Sequence, residues 1–225
     1  MRNLFKCHFA YLLNKPTIYI LCLANCFIFM NFVSNIDNET RTIWSYYYSS
    51  LVIVKICFVF ITIYIMSLSI NRRNDYYSYY ILTSNISRNK YIISKILLII
   101  YIVFTNMILM FILFLFIGFL FQKNFYFNIV YFWGLLEVFF IAIIYGLYGM
   151  LLMQLFQNQL TVIIPIVLLI VTNDLRANDI FKAIILFMFP NNREYETIYL
   201  INLLWLFWTL FIINISFYHN KDLNY

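Results

Sequence analysis

The stretch ILLIIYIVFTNMILMFILFLFIGFLF, Ile96 to Phe121, contains no charged residue, and its only strongly polar side chains are Thr105 and Asn106. It exceeds the roughly 20 apolar residues that a helix needs to cross a bilayer. Four further runs of similar character surround it. They extend from about Thr17 to Val33, Tyr48 to Ile70, Asn128 to Phe156 and Tyr199 to Phe217. A shorter run, about Leu160 to Thr172, carries Pro165 near its middle, which a span tolerates where neighbouring groups satisfy the freed carbonyl. The pattern predicts an all-α integral membrane protein with six transmembrane helices and no soluble catalytic domain.

Composition agrees. The 225 residues are 64% hydrophobic and 11% charged, with a mean hydropathy of +0.85, whereas soluble domains average roughly 45–50% apolar and about 25% charged. An aromatic share of 22%, with 25 Phe and 20 Tyr, also reflects a codon bias toward A and T, so abundance alone carries little functional meaning. The net charge of +6 does not form the solvated basic face that nucleic acid requires, because the cations lie between apolar runs. Cys7, Cys22, Cys26 and Cys57 fall in or beside the first two spans without metal-type pairing, so they are read as small apolar residues.

The connecting segments add detail. Met1 to Asn14 carries Arg2 and Lys6 among Leu4, Phe5, Phe9, Leu12 and Leu13, which predicts an N-terminal interfacial helix over about 1–15, broken from the first span at Lys15 and Pro16. No small-residue cleavage site follows Val33, so this segment is expected to stay attached. Between the fifth and sixth spans, Ala183 to Phe189 is too short to cross and predicts an interfacial or re-entrant helix ended by Pro190. The whole chain is read as one transmembrane domain. Arg2, Lys6, Lys15, Arg72, Arg73, Arg88, Lys90, Lys95 and Lys221 fall on one side of this topology, and Arg41, Lys123, Arg176, Lys182 and Arg193 on the other. Both termini are therefore expected in the cytoplasm.

Several chemistries are missing from the sequence. The four glycines, Gly118, Gly134, Gly146 and Gly149, all lie in spans, so no glycine-rich phosphate loop exists and ATP cannot be hydrolysed through one. The only histidines, His8 and His219, lie outside the spans, which excludes a zinc-peptidase helix and an intramembrane serine–histidine site. Cys7 and His8 are adjacent, and on a helix they would point about 100° apart. The chain is read as a non-enzyme. Two ionisable residues, Lys55 and Glu137, sit inside spans at similar depth. They are expected either to meet in the bundle interior, or to act separately, with Lys55 snorkelling outward and Glu137 protonated.

The segment ILTSNISRNKYIISK, Ile81 to Lys95, runs directly into the quoted span. Ser84, Ser87, Arg88, Tyr91 and Lys95 form the pattern S-x-x-S-R-x-x-Y-x-x-x-K. This resembles the cytoplasmic loop between the second and third spans of type 2 ABC transporter permeases, and the six-span layout with a leading surface helix is similar to that family over essentially the whole chain. The loop lacks the proline that many relatives carry, and the external segments are short. The resemblance implies a permease subunit that pairs with a second permease chain, the same or related, and with a separate cytoplasmic ATPase that binds the ATP. It also implies that the loop docks in that ATPase, with Tyr79, Tyr80, Ile81 and Leu82 entering a groove, Arg88 fixing the register, and Ser84, Ser87, Tyr91 and Lys95 completing the coupling motif. The competing reading of the loop's cations is that they anchor the chain to anionic lipid.

Small permeases of this length from low-GC bacteria are similar to subunits that export antimicrobial or amphipathic peptides for self-protection. The expected location is the bacterial cytoplasmic membrane, and the expected cargo is such a peptide or another hydrophobic molecule. The alternative is a membrane protein that works without an ATPase, as a secondary carrier or as an accessory factor in peptide processing.

Overall fold

The computed structural model describes residues 15–34, 43–69, 87–121, 129–156, 163–174 and 196–220, with Phe9 and Thr161 as single positions. Six helices account for them: α1 (Lys15–Ser34), α2 (Ile43–Leu68), α3 (Arg88–Phe121), α4 (Ile129–Phe156), α5 (Ile163–Asp174) and α6 (Glu196–Asn220). No strand occurs among the described residues. All but α5 are long and apolar enough to cross a membrane. With 12 residues, α5 is about 18 Å long at 1.5 Å per residue, short of the roughly 30 Å of a hydrocarbon core. Apart from Phe9 and Lys15, the expected interfacial helix over 1–15 lies outside the described residues, as does the expected re-entrant stretch Ala183 to Phe189.

Two boundaries differ from the sequence reading. Pro16 is not one of them: it occupies the second position of α1, which starts at Lys15, where a missing N–H removes no helical hydrogen bond. Pro165 sits in the first turn of α5 and begins that helix instead of interrupting it. The third helix starts at Arg88, not Ile96, with the Tyr91 amide donating to the Ser87 carbonyl at 3.1 Å. Hydropathy marks where a helix enters lipid, whereas Arg, Lys and Tyr continue the helix outside it at little cost in propensity. The 34 residues of α3 span about 51 Å, roughly 20 Å more than a hydrocarbon core.

Burial identifies the centre of the bundle. In α4, 67% of the residues are buried, against 17% of the spanning window of α1. Helix α2 packs along α4 in parallel. The Tyr47 hydroxyl donates to the Val130 carbonyl at 2.9 Å, Leu51 lies against Gly134, Thr62 and Met66 against Gly146, and Ile63 against Gly149. The glycines allow this close approach: a Cβ on Gly146 would stand 2.7 Å from the Thr62 methyl, and one on Gly134 would overlap the Tyr47 hydroxyl. Without a hydrophobic drive between helices in lipid, such small-residue contacts, which maximise dispersion, hold spans together.

The remaining pairings fix the directions. Phe207 meets Phe140, and the Asn214 amide donates to the Leu147 carbonyl at 3.2 Å, so α6 also runs parallel to α4. Phe104 meets Phe139 and Phe111 meets Phe132, so α3 runs antiparallel to α4. Helix α1 follows α3: Asn25 donates to Asn106 at 2.9 Å, and Phe32 packs edge-on against Phe114. Hence α2, α4 and α6 point one way, and α1 and α3 the other.

Candidate functional site

These directions place the end of α2, the start of α3 and the end of α6 together at one end of the bundle. The last turns of α2 leave carbonyls that the helix itself cannot satisfy. Ser69 covers one of them by donating to the Met66 carbonyl at 2.6 Å, and Ser67 donates to the Tyr64 carbonyl just before them at 2.8 Å. The Ser69 carbonyl accepts from the Lys95 ammonium at 2.7 Å, a charge-assisted bond at the negative end of the α2 dipole. The same ammonium stands 4.3 Å from the centre of the Tyr91 ring, whose electron-rich face favours it. Tyr91 in turn stacks on Tyr218 of α6 with ring centres 5.9 Å apart.

The loop pattern therefore divides in two. Tyr91 and Lys95 are 1% and 4% exposed, so their contacts lie within the chain. Ser87, Asn89 and Lys90 are exposed and Arg88 is half-buried, at the tip of α3. Arg88, Tyr91 and Lys95 follow helical spacing along one face, since seven residues turn a helix by nearly two full revolutions. Tyr79, Tyr80, Ile81, Leu82 and Ser84 lie outside the described residues.

The second feature lies deeper. The Tyr47–Val130 and Thr62–Gly146 contacts bracket Lys55 and Glu137 on adjoining parallel helices, and interpolating between them brings the two to the same level. Both side chains are half-buried, and Glu137 acts electrostatically on Lys55. The two intramembrane charges thus lie at one level on adjoining helices. Toward the end of the bundle where α2 and α4 begin, a small apolar crevice opens among Phe32, Tyr47, Ser50, Leu51, Val54, Phe114 and Leu135. The buried Ser50 hydroxyl in its wall has no hydrogen-bond partner.

Three polar side chains missed by the sequence reading shape the bundle: Asn25 with Asn106, as above, and Asn214, which donates to both Leu147 and Leu210 carbonyls. A lone amide inside an apolar run was the available signal. Gln154, buried near the end of α4, leaves both amide atoms unpartnered. Among the described residues no cluster of His, Cys, Asp or Glu could hold a metal ion. Cys22, Cys26 and Cys57 are free thiols, the first two exposed on α1. No protein-family model matches the chain, and no curated protein matches its sequence.

Proposed function

We propose that the chain is the membrane-spanning subunit of an ATP-binding cassette exporter of the bacterial cytoplasmic membrane. It pairs with a second permease chain and is driven by a separate ATPase. The observation that carries this reading is the tip of α3, a helix longer than a hydrocarbon core, which exposes Ser87, Asn89 and Lys90 while its inner face is fastened to α2 and α6. Such a turn is a foothold for a soluble partner. It sits at the end rich in Lys and Arg, which the positive-inside rule puts in the cytoplasm together with both termini.

Parallel α4 and α6 support six crossings, because a chain that leaves α4 at one face must return before entering α6 in the same direction. Helix α5, between them in sequence, is about 18 Å long and would form part of that return. An apolar bundle with the Lys55–Glu137 pair in its wall suits an amphipathic cargo, such as an antimicrobial peptide exported for self-protection, because both apolar and charged groups find partners there.

The experiment is purification in mild detergent from the native host. An ATPase should copurify with the wild-type chain, and Arg88→Glu should lower the yield of that ATPase, or its stimulation, without lowering the yield of the chain. The Lys55–Glu137 pair favours a second reading, a secondary carrier. Full-rate transport by the chain alone in vesicles without ATP would establish that reading and overturn the first.

A further inference from the structure

We infer that Lys95 and Tyr91 are positioning residues, which fasten the first turns of α3 to the last turns of α2 and α6 and thereby hold the exposed turn Ser87–Lys90 in one place for a protein partner. The inference rests on the reading of that turn as a docking element, and it reassigns Tyr91 and Lys95 of the loop pattern from contact to support.

Each link is a separate interaction. Lys95 joins α3 to α2 through the Ser69 carbonyl at 2.7 Å. Tyr91 joins α3 to α6 through the Tyr218 ring at 5.9 Å. The two links are joined to each other by the ammonium over the Tyr91 ring at 4.3 Å, one helical turn away. Ser94 adds a bond to the Tyr91 carbonyl at 2.8 Å, so the turn that carries both residues is itself closed. All of these groups are buried, in a region where losing a partner leaves a carbonyl unsatisfied.

A helix tip that projects beyond the bilayer has few neighbours and frays readily. For docking, a tip already held in its bound position avoids the entropy of ordering at the moment of contact. Arg88, one turn before Tyr91 and on the same face as Lys95, inherits its direction from them. A coupling motif that reads as one recognition surface thus has two layers: Ser87 and Lys90 face the partner, and Tyr91 and Lys95, with half-buried Arg88 on their face, aim them.

The test is amide hydrogen exchange on the full chain in lipid nanodiscs, which requires no ATPase. Lys95→Met keeps most of the side-chain bulk and removes the cation. It should speed exchange about tenfold in the last turn of α2 and in the first turn of α3 while leaving the middle of α4 unchanged. Lys95→Arg should restore protection at both places. Tyr218→Leu should free the last turn of α6 while the last turn of α2 stays protected, and it serves as a second handle if Lys95→Met does not fold. A uniform rise across the bundle in Lys95→Met, or failure of Lys95→Arg to restore protection, overturns the inference, because either would mean that Lys95 only supports general stability. Unchanged exchange at α2 and α3 in Lys95→Met overturns it too. An absent ATPase in the purification would count against the exporter reading, while the exchange pattern would still decide whether Lys95 and Tyr91 hold the tip.

Discussion

A charged residue near the centre of a spanning helix costs roughly 2.5–3.5 kcal/mol on insertion scales. Lys55 and Glu137 would each incur such a cost alone. On parallel α2 and α4, at one level, each is expected to reduce the other's cost, because opposite charges attract strongly where water is scarce. Removing one partner leaves the other uncompensated. Lys55→Glu and Glu137→Lys should each lower transport and thermal stability in detergent sharply, and the double exchange should recover most of the loss. Additive losses in the double variant would show that the side chains act independently. The sequence supplied both residues and their similar depth. It could not decide whether they meet, because that depends on the rotation of two helices far apart in the chain.

At the scale of the element, α2 and α4 form the closest pair in the bundle, and glycine makes this possible. Gly134 lies where Tyr47 crosses α4 to reach the Val130 carbonyl, and a methyl group there would take the place of the hydroxyl. The tyrosine ring is rigid and wedged against Phe114 and Tyr131, so it cannot yield as a flexible chain end would. Gly134→Ala should therefore destabilise the protein by about 1–3 kcal/mol, the usual range for overpacking a well-filled core, read as a lower unfolding midpoint in detergent. Tyr47→Phe together with Gly134→Ala should recover part of the loss, since it removes the overlapping oxygen. The existence of each long helix was legible from hydropathy, but the ends were not. Arg88 to Lys95 is polar enough to read as loop, yet it is the start of α3, because a helix outside lipid is limited by propensity and tertiary anchoring and not by apolarity. Pro165 reads as an interruption only while the start of its helix is unknown.

For the whole molecule, the direction of the helices constrains the path of the chain. The six crossings proposed above accord with the parallel packing of α4 and α6, since two spans in one direction need a return crossing between them. Gln159→Cys and Arg193→Cys, introduced singly into a variant free of native cysteines, should react with a membrane-impermeant maleimide from opposite faces of the membrane. Labelling of both from the same face would contradict six crossings and the parallel packing of α4 and α6.

The amino-acid sequence by itself determined that the chain is helical and rich in membrane spans, because hydropathy over some twenty residues is a property of the local chain and the bilayer satisfies no backbone groups. It also marked Lys55, Glu137 and the Ser84 to Lys95 pattern as unusual, since charge in or beside an apolar run is visible in one dimension. Only the tertiary structure decided that α4 is the centre, that Gly134, Gly146 and Gly149 all face α2, and that Tyr91 and Lys95 point inward while Ser87 and Lys90 point out. The reason is rotational. With nearly every face of these helices apolar, the sequence contains little that tells lipid from protein, and which face packs is settled by shape, small residues and a few interhelical hydrogen bonds.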